Sequence, residues 1–137
     1  MYKENKDITL QYYNQNAGSF VSSTIHADLT DTQNRFLSRL EPGAAILDFG
    51  CGSGRDTKYF LEHGYQVDAI DGSEELCKIA STYTGIPVRQ MYFQDLDAWE
   101  RYDGIWACSS ILHLEKTELR SVLKKMADAL RPGGWIY

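Results

Sequence analysis

With 137 residues and a net charge of −5 at pH 7, the chain suits one domain with its own core rather than a small disulfide scaffold. No basic cluster marks a surface for nucleic acid, and no stretch has the apolar run of a signal peptide or a membrane span, so we expect a soluble, cytoplasmic protein that binds neither nucleic acid nor membrane. Cys51, Cys77 and Cys108 lack the spacing of a disulfide framework or a metal site, which predicts free thiols and no metal.

Predicted helices and strands alternate along the whole chain. Two helices are expected within residues 1–40, and a buried strand follows them at residues 44–49. Further strands are predicted at residues 65–71, 88–93, 102–108 and from residue 135, with helices at about 55–63, after Ser73 as N-cap, and at about 116–130. This alternation predicts an α/β fold in which helices cover both faces of a parallel sheet and ligands bind at the carboxyl ends of the strands.

The last predicted helix has the most regular apolar pattern in the chain. One stripe along it is expected to face the sheet. It contains Leu119, Val122, Leu123, Met126 and Leu130. The turn at residues 131–134 should end this helix before the fifth strand starts at Trp135.

A glycine-rich turn follows the first predicted strand. It contains Asp48, Gly50, Cys51, Gly52 and Gly54. Glycines allow a sharp turn and let backbone N–H groups approach a ligand, and the next helix adds its positive end. A turn without a ligand is the alternative, but a position between strand and helix favours binding. Arg55 stands where a dinucleotide motif needs glycine, so the pattern suits a cofactor without a pyrophosphate, such as S-adenosylmethionine.

Acidic residues follow the second and third predicted strands. Asp71 lies 21 residues after Gly50, where a carboxylate can accept hydrogen bonds from both ribose hydroxyls of an adenosine. Residues 71–73 also suit a turn and helix cap without a ligand, an alternative that the nearby glycines disfavour. Asp95 could accept from the adenine amino group while the Leu96 N–H donates to a ring nitrogen, although Asp95 alone is typical of a solvated loop.

These segments, in this order, resemble the successive motifs of class I S-adenosylmethionine-dependent methyltransferases. The segments are LDFGCGSGRD, VDAIDGS, FQDLD, YDGIWACSSILHL and LRPGGWIY, and the opening YYNQNAGSF is similar to small bacterial members related to tellurite-resistance methyltransferases. The resemblance implies a doubly wound, Rossmann-like, mostly parallel sheet with strand order 3-2-1-4-5, lacking the last two strands of the family. It also implies S-adenosylmethionine as cofactor and a small-molecule methyl acceptor.

The resemblance further implies a role for each part of the site. Asp48 and residues 50–54 would hold the methionine part of the cofactor, and Asp71, followed by Gly72 and Ser73, would hold the ribose. Asp95 and Leu96 would hold the adenine. We therefore count residues 71–73 as cofactor-binding together with the glycine turn.

Further residues are implied to lie near the reaction centre or near the carboxylate of the cofactor. Cys108 and His113 bound the segment that would border the sulfonium and the substrate, and His113 could orient a substrate or take a proton. The alternative to a catalytic His113 is methyl transfer to a soft or deprotonated nucleophile, which needs no base. Tyr12 or Tyr13 could touch the carboxylate of the cofactor, although a tyrosine packed on a helix face is the alternative for each.

Two alternatives to an active methyltransferase remain open. The first is a cofactor-binding module or fragment without methyl-transfer activity, because the strands that complete the acceptor pocket in the family are missing. The second is a nicotinamide-dependent oxidoreductase, which would bind NAD instead. The exposed sheet edge is expected to favour self-association. Residues 1–137 are interpreted as one cofactor-binding domain, with N-terminal helices to about residue 40 and an incomplete core at 44–137.

Overall fold

The computed structural model describes residues 29–108, 111 and 114–137. Tyr13, His113 and the first predicted helix lie outside these residues, so the extent of the domain stays a prediction. The elements are α1 (Thr30–Leu37), β1 (Ala45–Phe49), α2 (Arg55–Glu62), β2 (Gln66–Asp71), α3 (Glu74–Thr84), β3 (Arg89–Gln90), a 3-10 turn (Phe93–Asp95), β4 (Tyr102–Trp106), α4 (Lys116–Ala129) and β5 (Leu130–Ile136). In the described ranges, none of the helices has both the length and the apolar character needed to cross a bilayer.

The five strands form one parallel sheet in the order β3-β2-β1-β4-β5. This confirms the predicted α/β fold and strand order. Phe49 of β1 pairs with Ile70 of β2, and Asp48 pairs with Trp106 of β4. The carboxyl ends of β1, β2 and β4 therefore meet at one edge of the sheet, which is where ligands bind in this class of fold.

Alternate residues of β1 face opposite sides of the sheet, and each side has its own apolar cluster. Leu47 and Phe49 pack with Val122 and Met126 of α4 on one side. On the other side Ile46 packs in a cluster with residues of α1, α2 and β4, namely Phe36, Leu37, Phe60 and Trp106. Helices on both faces explain why β1 is apolar almost throughout, since neither face of the strand meets water.

The predicted apolar stripe of α4 is wrong at Leu123, whose side chain is 40% exposed. The contact with the sheet is made by Val122, Met126 and Ala129 instead. These residues follow each other at intervals of four and three, whereas Leu123 lies about 100° further round the helix than Val122. An apolar residue next to a buried position can therefore fit the helical spacing of the stripe and still be exposed to solvent.

Two strands differ most in length from the prediction, whereas β4 ends two residues earlier than expected, at Trp106. β3 was expected at residues 88–93 but spans only Arg89–Gln90, because its neighbour β2 ends at Asp71 and offers nothing to pair with beyond that point. β5 was expected from Trp135 but begins at Leu130 and includes the Pro-Gly-Gly segment. Tyr102 pairs with Leu130 and Gly104 with Trp135, so β5 bulges between these two pairs.

Candidate cofactor site

The turn after β1 is shaped by glycines in the left-handed region. Gly50, Gly52 and Gly54 have φ values of 85°, 56° and 88°, which cost other residues about 1–2 kcal/mol each. Gly54 also lies against α3, since an added Cβ would be 2.8 Å from Thr84 Cγ2 and 3.2 Å from Ala80 Cβ. The turn therefore needs glycine for its conformation and, at Gly54, for space as well.

Most amides of this turn donate within the protein, which differs from the expectation that they would face a ligand. The N–H groups of Gly50 and Cys51 both donate to the Ile70 carbonyl, at 3.0 and 2.9 Å, and the Gly54 N–H donates to the Cys51 carbonyl at 3.0 Å. The Gly52 N–H donates to Asp71 Oδ2 at 2.9 Å. These bonds close the turn against β2, so direct contact of these amides with a cofactor stays a prediction.

Asp71 lies at the carboxyl end of β2 and joins the turn to the start of α3. Its Oδ2 accepts from Gly52 N–H, and its Oδ1 accepts from Ser73 N–H at 2.8 Å. Burial raises the pKa of Asp71, and these two N–H bonds oppose the rise. A carboxylate has about four acceptor positions, so each oxygen keeps capacity for one ribose hydroxyl. The arrangement fits an adenosine ribose.

Gly72 and Ser73 connect Asp71 to α3. The Ser73 side chain is buried and accepts from Leu76 N–H at 3.3 Å, which confirms the predicted N-cap. The Gly72 carbonyl accepts from Gln90 Nε2 at 3.3 Å. Both residues thus stabilise the loop that carries Asp71, whereas direct contact with a cofactor stays a prediction for each.

Asp48 is a buried carboxyl that ties β1 to α2. It is 1% exposed, and its Oδ2 accepts from Thr57 Oγ1 at 2.6 Å. Burial, with the nearby charge of Asp56, raises its pKa from 3.8 to about 8 despite the bond from Thr57. At neutral pH this carboxyl is therefore largely protonated, and it adds little negative charge to the site.

Asp48→Asn is expected to reduce the pH dependence of stability. The folded protein holds a proton on Asp48 up to about pH 8, whereas the unfolded chain releases it near 3.8, so the free energy of unfolding falls as pH rises between these values. Asparagine keeps an oxygen for Thr57 but cannot ionise. The variant should therefore gain stability relative to the original protein by about 1 kcal/mol for each unit of pH between pH 5 and pH 7, and gain little more above pH 9, as measured by urea denaturation. If the free energy of unfolding changed with pH equally in both proteins, the raised pKa of Asp48 would be contradicted.

The cysteines near the site differ in exposure. Cys51 is buried beside Ala69 and Ala80, and burial raises the pKa of its thiol well above the ordinary value. Such a thiol is a poor nucleophile at neutral pH. Cys108 follows β4, is partly exposed and packs against the cluster that contains Trp106. It lies after the carboxyl end of β4, and its place beside the reaction centre stays a prediction.

Asp95 and Leu96 lie beyond β3, at the same edge of the sheet as Asp71. The Met91 N–H donates to the Asp71 carbonyl at 3.0 Å, which holds this segment beside β2. Asp95 ends the 3-10 turn and is exposed, while the Leu96 side chain is buried and its N–H lies 3.3 Å from the Phe93 carbonyl. The Leu96 amide therefore already has a partner, and an adenine ring nitrogen would have to share it.

The sequence interpretation missed a second buried carboxylate, Asp56. Its Oδ1 accepts from Gln33 Nε2 at 2.6 Å, and its Oδ2 accepts from Trp106 Nε1 at 2.9 Å and Arg55 Nη2 at 2.9 Å. Asp56 thus joins α1, α2 and the end of β4 beside the glycine turn. An acidic residue in the first turn of a helix predicts only a favourable interaction with the helix dipole. The neighbouring sequence does not indicate that Gln33 and Trp106 donate to Asp56.

Comparison with known proteins assigns the family. A methyltransferase domain model matches residues 46–134, which include the glycine turn, Asp71 and both residues of the predicted adenine subsite. The chain belongs to this methyltransferase domain family.

Three similar proteins illustrate the match. A ubiquinone biosynthesis O-methyltransferase of Xanthomonas axonopodis pv. citri is 33% identical over 108 residues, covering 73% of this chain and 44% of that protein. A 1,6-didemethyltoxoflavin-N1-methyltransferase of Burkholderia thailandensis has a TM-score of 0.81 at 26% identity, over 99% of this chain and 63% of its own. A TehB-like SAM-dependent methyltransferase of Corynebacterium glutamicum has a TM-score of 0.73 at 21% identity, over 95% and 72%. The chain spans less than half the length of the curated relatives it matches.

Proposed function

We propose that this chain binds S-adenosylmethionine and belongs to an enzyme that transfers its methyl group to a small-molecule acceptor. The observation that carries the proposal is the bond between Gly52 N–H and Asp71 Oδ2 at 2.9 Å. It joins a turn whose left-handed positions favour glycine to a carboxylate with room for ribose hydroxyls, at the edge where β1 and β2 end. Membership of the methyltransferase domain family supports the same activity.

The chain's own residues bind and orient the cofactor rather than react. Asp71 accepts the ribose hydroxyls, Asp95 and the Leu96 amide face the adenine, and the glycine turn leaves space for the methionine part. Bound S-adenosylmethionine supplies an electrophilic methyl group on a sulfonium, which a nucleophile takes up by direct displacement. Alignment of the two reactants can provide much of the acceleration. The catalytic role of His113 and the contact of Tyr13 with the carboxylate stay predictions.

The names of the relatives suggest which acceptors to test. One relative is an O-methyltransferase and one is an N-methyltransferase of 1,6-didemethyltoxoflavin. We therefore propose a small molecule with a hydroxyl or a ring nitrogen as the acceptor. The oxidoreductase alternative has no support from the comparisons with known proteins.

Calorimetric titration with S-adenosylhomocysteine, followed by a methyl-transfer assay, tests the proposal. We expect S-adenosylhomocysteine to bind and NAD not to bind, because Arg55 occupies the glycine position that a pyrophosphate motif requires. Transfer of labelled methyl groups to a panel of phenols and ring-nitrogen heterocycles would then identify the acceptor. Binding of NAD without S-adenosylhomocysteine contradicts the proposal, and cofactor binding without transfer to any acceptor restricts it to a binding module.

We also propose that the protein is cytoplasmic, does not bind nucleic acid and associates with itself through the sheet. Among the described residues, the outer strands β3 and β5 each have a hydrogen-bonded neighbour on one side only. Unpaired backbone groups on such an edge can pair with another chain. The net charge of −5 supports the absence of a nucleic acid partner.

A further inference from the structure

A cleft of about 590 Å³ lies beside the segment that connects the 3-10 turn to β4. Residues 96–102 form most of its wall, and Arg89 of β3 and Arg131 of β5 complete it. Tyr102 and Arg131 lie at the start of their strands, whereas the candidate cofactor site lies where β1 and β2 end. Apart from its Leu96 end, the cleft is therefore separate from the cofactor site, and methyl transfer gives it no role.

Trp99 is an exposed apolar side chain at this cleft. It is 70% exposed, the largest fraction among the large apolar side chains of the described residues. The end of α4 fixes its segment, because the Glu100 N–H donates to the Asp128 carbonyl at 2.8 Å and the next N–H donates to the Ala129 carbonyl at 2.9 Å. Glu100 has a φ of 43°, which is uncommon for residues other than glycine. These contacts hold an indole ring in solvent at the cleft.

Three arginines give the cleft its positive charge. Arg101 Nη2 pairs with Asp68 at 3.1 Å, and the Arg101 side chain stays 61% exposed. Arg131 Nη1 pairs with Asp103 at 2.9 Å, and the Arg131 side chain stays 49% exposed. Arg89 is exposed and forms no ion pair with any of the described residues. Since a guanidinium has five N–H donors, all three arginines keep donors for a ligand.

The wall of the cleft also contains two carboxylates, Asp97 and Glu100. The three arginines outnumber them, so the wall has an excess of positive charge in a chain whose net charge is −5. Burial raises the pKa of the Tyr102 hydroxyl, and the charges of Arg101 and Arg89 oppose the rise, so both guanidinium groups lie near this hydroxyl. The cleft therefore favours an anionic ligand.

The positions of the arginines suit an extended chain better than a compact anion. β3 and β5 are the outer strands of the sheet, four strand spacings apart, which corresponds to about 19 Å. Arg89 and Arg131 therefore reach the cleft from opposite sides, and Arg101 lies between them. An extended peptide of about six residues covers this span. Trp99 adds a ring surface for an apolar side chain, and tryptophan and arginine are enriched in contacts between proteins.

We propose that this cleft binds an acidic, extended segment of a partner protein. Carboxylates of the segment contact Arg89, Arg101 and Arg131, and an apolar side chain of the segment packs on Trp99. The carboxylates that already pair with two of these arginines hold the guanidinium groups in place. The inference goes beyond methyl transfer and does not depend on it, because none of the four contact residues belongs to the candidate cofactor site.

Titration with the synthetic peptide EEFPEE tests the proposal. In a magnetic resonance spectrum of the isotope-labelled protein, the indole N–H signal of Trp99, identified by its absence from Trp99→Ala, should shift with EEFPEE and not with KKFPKK. Calorimetry measures the affinity, which Arg89→Gln should lower about 4-fold and Trp99→Ala about 20-fold. Both side chains are exposed, so both variants should stay folded, and thermal melting checks this. Added salt should weaken the peptide by screening the charges.

Arg120→Gln is the matched control, because Arg120 is exposed on α4 and does not line the cleft. It should bind EEFPEE as the unmodified protein does. If the Trp99 signal does not move with EEFPEE, or if Arg89→Gln and Trp99→Ala bind the peptide as tightly as Arg120→Gln, the proposal is overturned. Tighter binding of inorganic pyrophosphate at the same signal would overturn it in favour of a small anion. A shift on concentrating the protein alone would overturn it in favour of a second copy of the chain.

Discussion

Asp71→Ala should lower the affinity for S-adenosylhomocysteine by about 100-fold, or roughly 2.7 kcal/mol. The substitution removes the acceptor of two ribose hydroxyls and also the acceptor of Gly52 and Ser73 N–H, which lie at 2.9 and 2.8 Å. The site therefore loses the contact with the ribose and also the hydrogen bonds that hold the glycine turn and the start of α3 in place. Calorimetric titration measures the affinity, and thermal melting shows whether the variant is folded.

Asp68→Asn is the matched control, because Asp68 lies three residues earlier in the same strand. Its carboxylate accepts from the Tyr102 hydroxyl at 2.7 Å and pairs with Arg101 at 3.1 Å, away from the glycine turn. The control should bind S-adenosylhomocysteine normally. Asp71→Asn should lie between the two, since its amide can satisfy one of the N–H donors but opposes the other. If Asp71→Ala and Asp68→Asn bound S-adenosylhomocysteine with equal affinity, Asp71 would not bind the ribose.

Gly54→Ala should lower the free energy of unfolding by about 3 kcal/mol. The left-handed conformation contributes about 1–2 kcal/mol of this loss and overpacking against α3 the remainder. The clash cannot be relieved easily, because the Thr84 hydroxyl donates to the Ala80 carbonyl at 2.7 Å and thereby holds the Thr84 methyl group 2.8 Å from the new Cβ. Urea denaturation measures the loss.

Gly64→Ala separates these two contributions. Gly64 has the same φ of 88° as Gly54, but nothing lies within 4 Å of the position of an added Cβ. The control should therefore lose only about 1 kcal/mol, the cost of the backbone conformation. If both variants lose the same amount, close packing of the turn on α3 does not contribute. Gly54→Ala should also weaken S-adenosylhomocysteine, whereas Gly64→Ala should not.

The predictions made from local patterns agree best with the structure. Apolar periodicity, glycines at turns and Ser73 as N-cap locate the helices and strands, and the alternation of both leads to the observed sheet order. The predictions are wrong where a neighbouring element determines the length of a strand or the burial of a side chain. The last residue of β3, Gln90, pairs with the last residue of β2, Asp71. Leu123 is exposed because the neighbouring Val122 packs against the sheet.

Only some of the predicted site residues contact one another directly. Gly52 and Asp71 are hydrogen bonded, whereas Asp48 contacts Thr57 and the Leu96 amide contacts a carbonyl of its own turn. The sequence shows which groups follow a strand, but it does not show which of them already have partners. Hydrogen bonding depends on how the elements pack.

By itself the sequence determined the α/β alternation, the glycine turn and the carboxylate at the end of the second strand, since each depends on neighbours in the chain. Only the tertiary structure decided the environment of Asp56, whose partners Gln33 and Trp106 lie 23 and 50 positions away, and with it the orientation of Arg55. It also decided that Asp48 holds a proton near neutral pH. Burial and charge act through space, so residues distant in the chain control them.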